Sequence, residues 1–352
     1  MFTKFCATPR GGFGLHNLPA ILTRLFAGAT TQAAVFDRAL KRRQREASIL
    51  APESDNYDYL RKEVAERIVD RLDDITRSFP VALDLSCHKG HVMKSILQRE
   101  SLISPGDCAG GIKTLVLCDS AQSALDAVPL HLVEESPFEV QTHVLEVDEE
   151  NLPFEENSYD LVFCSLGLHW VNDIPATLKQ IKLMLKPDGV FIGCLLGGNT
   201  LHELKRSFYL AEMERKGGLS YHVSPMVKAS DIAGLLQGAG FTLPTIDVDN
   251  IQIGYPNAFT LMEHLKGMGE NTAAIHRHYN VGAETMLAMA SIYQHEYGEP
   301  DKTTGGTIIP ATFQVIYLIG WSPDSSQPQP LERGCAQKSL KDELEKNPAP
   351  KA

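Results

Sequence analysis

The segment that most constrains the fold is a short apolar run, Tyr159 to Ser165, which is bounded by polar and turn-forming residues. A run of that length fits a strand that is buried on both faces of a parallel sheet. Asp148 lies before the run, and His169 and Trp170 follow it. Ligands of open α/β sheets bind at the carboxyl ends of such strands. The sequence therefore predicts that Asp148 and the pair His169 and Trp170 face one crevice.

Strand and helix signals alternate on both sides of this run. The other predicted strands cover residues 81–87, 114–119, 139–147 and 190–196, and the helices between them cover residues 91–99, 121–128 and 174–185. Residues 186–189, Lys-Pro-Asp-Gly, are predicted to end the last of these helices as a turn. Strands separated by helices form a parallel, doubly wound sheet. Helices within residues 37–79 precede the sheet, and a late strand at residues 311–320 is expected to pair antiparallel at its edge.

The two ends of the chain differ in composition from the middle. The first 36 residues contain Lys4, Arg10 and Arg24 but no acidic residue, and their apolar residues recur at helical spacing. That composition predicts a mitochondrial transit peptide, with a disordered tail as the alternative. Residues 37–321 are predicted to form one α/β domain. Residues 322–352 are rich in Pro, Ser, Gln and charge, which predicts a disordered C-terminal tail.

The charge and the cysteines restrict the class of protein. The chain has 33 basic and 44 acidic residues, a net charge of −11, which argues against a nucleic-acid partner. The basic run Lys41 to Arg45 is interpreted as a solvated helix face. The apolar runs are too short for a membrane-spanning helix. Four cysteines lie on or beside predicted core strands, which favours buried free thiols over disulfides or a zinc site. They are Cys87, Cys118, Cys164 and Cys194.

The turn after the first strand resembles the glycine turn of class I methyltransferases that depend on S-adenosylmethionine. Asp84 and Gly90 match the pattern, whereas Ser86 and His88 occupy positions that are usually glycine. Glycine at such positions allows tight turning and close approach of the backbone to a ligand. The fold is therefore expected to be methyltransferase-like, with S-adenosylmethionine binding placed in doubt by Ser86 and His88. The resemblance implies that Asp84, Ser86 and Gly90 line the cofactor site.

Two further acids complete the implied cofactor site. Asp119 ends the second strand, where an acid accepts hydrogen bonds from ribose hydroxyls; a helix-capping acid is the alternative. In the methyltransferase fold, an acid at the position of Asp148 meets the adenine.

Other polar residues allow two interpretations each. His169 and Trp170 form either a wall of the acceptor pocket, with His169 as a hydrogen-bonding group or base, or a structural pair. Tyr57 and Tyr59 form either a lid or packing contacts. His88 and His91 suggest a metal pair, but the sequence indicates no carboxylate near them except Asp84. No metal site is therefore predicted.

Four segments extend the resemblance over almost the whole chain, from about Val35 to Pro323. They read FDRALKRRQRE, GGNTLHELKRSF, YHVSPMVKASDIAGLLQGAGF and GTIIPATFQVIYLIGWSP. As a set they resemble the malonyl-carrier-protein methyltransferases of biotin synthesis and, more closely, a family of mitochondrial complex I assembly factors described as arginine hydroxylases. The resemblance implies a class I methyltransferase-like seven-stranded sheet with N-terminal helices and a helical insertion before the last strand.

The same resemblance carries functional expectations. It implies a protein of the mitochondrial matrix, peripheral on the inner membrane. It also implies action with other assembly factors early in assembly of complex I, NADH:ubiquinone oxidoreductase, by hydroxylating an arginine of an iron–sulfur core subunit. Two alternatives stay open: methyl transfer from S-adenosylmethionine, and a non-catalytic chaperone that binds its client through the acidic surface. Hydroxylation requires an oxidant, and the sequence indicates no two-histidine, one-carboxylate iron site.

Overall fold

The computed structural model describes residues 34–100, 109–134, 136–145, 148–218, 220–277, 280–300 and 305–328. Val35 begins the compact unit that contains these elements. The α-helices are α1 Arg38–Leu50, α2 Tyr59–Asp73, α3 His91–Glu100, α4 Gln122–Asp126, α5 Leu130–Glu134, α6 Ile174–Met184, α7 His202–Arg215, α8 Ala229–Ala239, α9 Ala258–Gly267 and α10 Ala283–Tyr297. The strands are β1 Val81–Leu85, β2 Thr114–Asp119, β3 Glu139–Val144, β4 Tyr159–Ser165, β5 Leu185–Leu196, β6 Thr242–Tyr255, β7 Glu299–Pro300 and β8 Thr307–Trp321.

The strands form one mixed sheet in the order β3-β2-β1-β4-β5-β8-β6, and β7 pairs with β8 off this path. The first five strands are parallel, while β8 lies antiparallel between β5 and β6. This order, with an antiparallel strand inserted near one edge, is that of class I methyltransferases and confirms the predicted fold class. The two-residue β7 makes the sheet eight-stranded rather than seven-stranded.

The central strands are apolar because helices cover both faces of the sheet. Leu83 and Leu85 of β1 pack in one buried cluster with α6 and α8, whereas Ala82 packs in the other with α2 and α3. This alternation follows the two-residue period of a strand. The four predicted core cysteines are free and buried, as expected.

The turn predicted at residues 186–189 is incorporated into β5 instead. Tyr159 pairs with Leu185 and Leu161 with Val190, so the register shifts between these two pairs. Five positions of β5 thus span two positions of β4, and Asp188 adopts a positive φ of 61°. The predicted breaker residues therefore produce a bulge within a strand and do not separate helix from strand.

The fold extends slightly beyond both predicted domain boundaries. Val35 and Phe36, within the predicted leader, each donate a backbone N–H to Asn172 Oδ1 at 2.8 Å. Ser322 and Gln327, within the predicted tail, are buried. Residues 1–33 and 329–352, which contain the rest of both predicted segments, lie outside the described residues. Among the described residues, each helix is too short or too polar to cross a bilayer.

Candidate functional site

The predicted crevice lies at the carboxyl ends of the parallel strands. Arg38 of α1 joins its two sides, because its Nε is 3.1 Å from Asp148 Oδ2 and its Nη1 donates to the Trp170 carbonyl at 2.8 Å. Arg38 thus bridges Asp148 and the Trp170 backbone, whereas the His169 and Trp170 side chains, which were predicted to face the same crevice, form hydrogen bonds with Glu270. The Nη2 of Arg38 also pairs with Glu149, a residue that the sequence did not single out.

Arg45 occupies the deepest part of the crevice. Its Nη2 lies 2.6 Å from Asp119 Oδ2 and its Nη1 lies 2.9 Å from Glu149 Oε1. Arg45 is 6 % exposed and Asp119 is fully buried. The interpretation of residues 41–45 as a solvated face was therefore wrong for Lys41 and Arg45. Positions 38, 41 and 45 recur at helical spacing on one face of α1, and that face packs onto the sheet.

These arginines control the protonation of Glu149. Burial by itself raises the pKa of the Glu149 carboxyl, but the nearby Arg38 and Arg45 guanidinium groups outweigh it and lower that pKa to about 2. Ser86 Oγ adds a hydrogen bond to Glu149 Oε1 at 2.7 Å. Glu149 is thus a permanently charged acceptor at the centre of the crevice.

The turn after β1 keeps the backbone of a glycine turn although two glycines are replaced. Ser86, His88 and Gly90 have positive φ values of 61°, 53° and 68°. This region is unstrained for glycine and costs other residues free energy. The His88 N–H donates to Asp119 Oδ2 at 3.0 Å, which anchors the turn to the end of β2. Asp119 Oδ1 accepts from the Ala121 N–H at 3.0 Å, which closes the turn before α4; the N-cap of α4 is Ala121, and the helix has no side-chain cap.

Asp84 is buried without a partner. Neither carboxylate oxygen has a hydrogen-bond donor among the described residues, and the side chain is fully buried. Burial, assisted by the charge of Asp119, raises the pKa of Asp84 to about 8. The carboxyl therefore keeps its proton at neutral pH.

The crevice does not fit S-adenosylmethionine in this arrangement. A ribose needs accessible acceptors, but Asp119 is fully buried and its Oδ2 already accepts from Arg45 and from the His88 N–H, and Asp148 pairs with Arg38. The Ser86 side chain fills the space beside Gly167, where a Cβ would lie 2.5 Å from Ser86 Oγ. The residues of the predicted cofactor site are brought together, but their polar groups are occupied by one another and by α1.

A second polar cluster surrounds Glu270, which the sequence did not indicate. His169 Nε2 and Trp170 Nε1 lie 3.0 and 2.9 Å from Glu270 Oε2, and Arg61 Nη2 donates to Oε1 at 2.9 Å. Burial alone would raise the pKa of Glu270, but His169, Arg61 and Lys41 hold it well below its usual range. Burial lowers the pKa of His169, and the Glu270 carboxylate opposes that shift.

Tyr57 and Tyr59 make packing contacts away from Asp119. Tyr59 Oη forms hydrogen bonds with Tyr255 Oη and with His264 Nδ1, the latter at 3.1 Å. The Tyr57 ring packs edge-on against His264 with the centroids 5.1 Å apart. Of the two interpretations of these tyrosines, packing against α9 agrees with the observed contacts.

An apolar cavity of about 320 Å³ lies between α7, α9, α10 and β8. Leu204, Phe208, Met286 and Phe313 line it, and Glu270 forms part of its wall. Glu270 therefore connects this cavity to the cluster of His169 and Trp170.

Comparison with known proteins agrees with this geometry. A family model described as "Methyltransferase domain" matches residues 83–193. The mitochondrial arginine-hydroxylase NDUFAF5 of Danio rerio is 42% identical over 308 residues, which cover 88% of this chain and 89% of that protein. The Homo sapiens protein of the same name is 45% identical and covers 86% and 81%.

Two more distant similarities complete the comparison. The malonyl-[acyl-carrier protein] O-methyltransferase of Methylovorus sp. (strain MP688) is 27% identical over 84% of this chain and 93% of that protein. Among solved structures, the YcgJ protein of Bacillus subtilis has a TM-score of 0.49 and 13% identity, covering 75% of this chain and 99% of that one.

The strand order and the crevice at the carboxyl ends define a methyltransferase-fold protein. More specifically, the chain belongs to the NDUFAF5 family, whose members are named as mitochondrial arginine hydroxylases. This confirms the resemblance carried by the four sequence segments. The names of these relatives also support the mitochondrial location predicted from the leader.

Proposed function

We propose that this protein is a mitochondrial complex I assembly factor that hydroxylates an arginine of a complex I subunit. One observation carries the proposal from geometry: the crevice already binds two guanidinium groups of the chain itself. Asp119, Asp148 and Glu149 hold Arg38 and Arg45 there. The names of the NDUFAF5 relatives support the same activity.

The crevice suits a guanidinium for physical reasons. A guanidinium presents donors in a planar fork that matches carboxylate oxygens, and such charge-assisted bonds are stronger than neutral ones. Arg45 contacts two different carboxylates, at 2.6 and 2.9 Å. A substrate arginine would replace Arg38 or Arg45 on the same acceptors, so each guanidinium displaced is matched by one bound.

The identity of the substrate subunit, the partners and the location within the mitochondrion are part of this proposal. The substrate is an iron–sulfur core subunit, and the protein acts with other assembly factors in the matrix, on the inner-membrane surface. The family resemblance supports these points.

The decisive experiment compares complex I from cells with and without the gene. Mass spectrometry of its subunits should find an arginine whose 16 Da mass increase disappears on deletion, since hydroxylation adds one oxygen atom (~16 Da by elemental mass). Re-expression of the wild-type chain should restore it. An arginine hydroxylated to the same extent without the protein would rule out the activity.

Point variants test whether hydroxylation takes place in the crevice. Asp148→Asn removes the charge of a buried carboxylate and replaces one acceptor oxygen with an N–H donor. It should lower hydroxylation by about 10-fold, because a charged hydrogen bond contributes about 1.5 kcal/mol or more. Glu214→Gln is the matched control, since Glu214 is exposed on α7 and its loss should leave the modification unchanged. Equal activity of the two variants would place the arginine elsewhere.

Methyl transfer from S-adenosylmethionine is a second candidate, favoured by the methyltransferase match over residues 83–193. It would require α1 to leave the crevice, because Arg38 and Arg45 occupy its acidic residues. Calorimetric titration of the full chain with S-adenosylmethionine tests this. Binding in the micromolar range that strengthens in an Arg45→Met variant would support it, and no binding by either protein would exclude it.

A non-catalytic chaperone is the remaining alternative from the sequence. Rescue of complex I assembly by an Asp148→Ala/His169→Ala variant that no longer supports hydroxylation would favour it.

A further inference from the structure

Three buried side chains converge beside the glycine turn. They are Asp58, His88 and His91, and each is 4 % exposed. One potential ligand atom from each lies within 4.8 Å of the other two. The convergence is not local in sequence, because Asp58 precedes α2 while His88 and His91 follow β1.

The imidazole nitrogens of this cluster are unusual. Both ring nitrogens of His88 and both of His91 are buried without a hydrogen-bond partner among the described residues. A buried polar group left unpaired costs about 1–3 kcal/mol. Four such atoms lie in two neighbouring rings, whose centroids are 5.8 Å apart. A ligand that binds one nitrogen of each ring would satisfy two of them.

The ligand atoms of the three side chains are nearly as close together as those around a bound metal ion. Imidazole nitrogens and carboxylate oxygens lie about 2.0–2.2 Å from a bound transition metal, so two adjacent ligand atoms are about 3–3.5 Å apart. His91 Nε2 is 3.7 Å from Asp58 Oδ2, which is slightly wider than that separation. Two histidines and one carboxylate are also the donor set of non-haem Fe(II) oxygenases.

We propose that Asp58, His88 and His91 form a binding site for a divalent first-row transition-metal ion. The site itself is independent of the proposed hydroxylase function; within this class of ions we choose Fe(II), and that choice alone rests on the function. His88 stands where the methyltransferase pattern has glycine. The same substitution that places cofactor binding in doubt thus supplies a metal ligand, and Asp58 is the carboxylate that the sequence did not indicate.

The Lys89 ammonium group occupies the place next to Asp58 that a metal ion would take. Its Nζ donates to Asp58 Oδ2 at 2.8 Å, to Asp55 Oδ1 at 2.9 Å and to Ser54 Oγ at 2.9 Å. The Asp55 side chain is 86 % exposed, so the site lies just below the surface. An entering metal ion would displace the ammonium from Asp58 towards Asp55. Arg61 and Lys94 also add positive charge nearby, which the ion must overcome.

Titration of the chelator-treated full chain with Co(II), followed by visible absorption, tests the site. His88→Gly is the informative variant, because glycine adopts the positive φ of 53° at this position without strain. It should weaken Co(II) binding by at least about 100-fold, as expected for loss of a ligand. His131→Ala, at an exposed position on α5, should bind as the wild type does. No stoichiometric Co(II) binding, or equal binding by His88→Gly, would overturn the proposal.

A second variant separates a metal site from a purely structural cluster. Lys89→Met removes the competing ammonium and should tighten Co(II) binding by about 10-fold. Unchanged or weaker binding would contradict the placement of the ion beside Asp58. Hydroxylation has its own test by mass spectrometry, so a chain that binds Co(II) but modifies no arginine would refute the function and retain the site.

Discussion

The crevice and the apolar cavity lie in the same molecule but are filled differently. In the crevice, Asp119, Asp148 and Glu149 are paired with Arg38 and Arg45 at close distances. The apolar cavity leaves about 320 Å³ without such occupants. A ligand of the crevice must therefore exchange with charged groups of the chain, whereas a ligand of the cavity needs only to displace water or fill unoccupied space.

Because the two regions are filled differently, substitutions in them should change the free energy of unfolding by different amounts. Removing one member of a buried charge network leaves the other charge unpaired, which is costly. Removing an apolar side chain beside an existing void deletes fewer contacts. Glu270 connects the second polar cluster with the cavity, since it accepts from His169 and also lines the cavity.

The largest effect within the crevice is expected for Arg45→Met, which leaves the buried Asp119 without its cation and Glu149 paired with Arg38 alone. The free energy of unfolding should fall by about 3–5 kcal/mol, measured by urea denaturation. Arg42→Met is the matched control, because the Arg42 pair with Glu46 is partly exposed, and it should change stability by less than about 0.5 kcal/mol. Similar losses for both variants would show that the crevice network is not special.

The substitution Leu265→Ala, in the wall of the apolar cavity, tests how much stability a side chain beside the cavity contributes. Leu265 lines the apolar cavity, so the loss should be about 2–3 kcal/mol, near the lower end for such substitutions. Leu85→Ala, at a fully buried position of β1, should lose about 4–5 kcal/mol. Urea denaturation of both proteins measures the difference, and a Leu265→Ala loss as large as that at Leu85 would contradict the loose packing of the cavity wall.

A pH effect of about 2 kcal/mol is expected from Asp84. Its pKa is raised to about 8 in the folded protein and is about 3.9 when unfolded. The folded state thus binds more protons between these values, so stability is full below about pH 4 and falls as the pH approaches 8. Between pH 6 and 8 the wild type should lose about 2 kcal/mol.

Asp84→Asn should abolish this slope, because the amide does not titrate. Asp74→Asn, at an exposed position after α2, should retain the wild-type slope. Urea denaturation at several pH values gives the comparison, and an Asp84→Asn protein with the wild-type slope would exclude Asp84 as its source.

The smallest effect is expected at the glycine turn. Gly90→Ala should destabilise the protein by about 1 kcal/mol, because φ is +68° while a Cβ would make only ordinary contacts with Val128 and Leu117. Gly234→Ala lies in α8 with open space around it, and it should instead stabilise by about 0.5–1 kcal/mol. Thermal denaturation distinguishes the two signs, and the same sign for both would show that φ is not the cause.

Much of the sheet could be predicted because its signals are local. The apolar run of β4 and the alternation of β8 are periodic over a few residues, and strand ends fix where Asp84 and Asp119 lie. The nearness of Asp148 to the Trp170 backbone follows from the parallel connection, whereas the direction of the His169 and Trp170 side chains towards Glu270 does not. The bulge in β5 was missed because Pro187 and Gly189 are also typical of a turn.

The partners of these acids could not be predicted, because they come from distant parts of the chain. Arg45 is 74 positions from Asp119 and Arg38 is 110 positions from Asp148. The sequence of a basic helix does not by itself indicate which of its charged side chains are buried. Likewise, Glu270 lies 101 positions from His169, in a segment without periodicity.

The pairing of α1 with the crevice has a consequence for the affinity of any arginine that binds there. Arg38 and Arg45 are tethered competitors, present at an effective concentration on the order of millimolar. Free arginine would have to outcompete them and so should be bound weakly. If the proposed hydroxylation takes place in this crevice, further contacts of a protein substrate with α1 would favour arginine presented on a protein over free arginine.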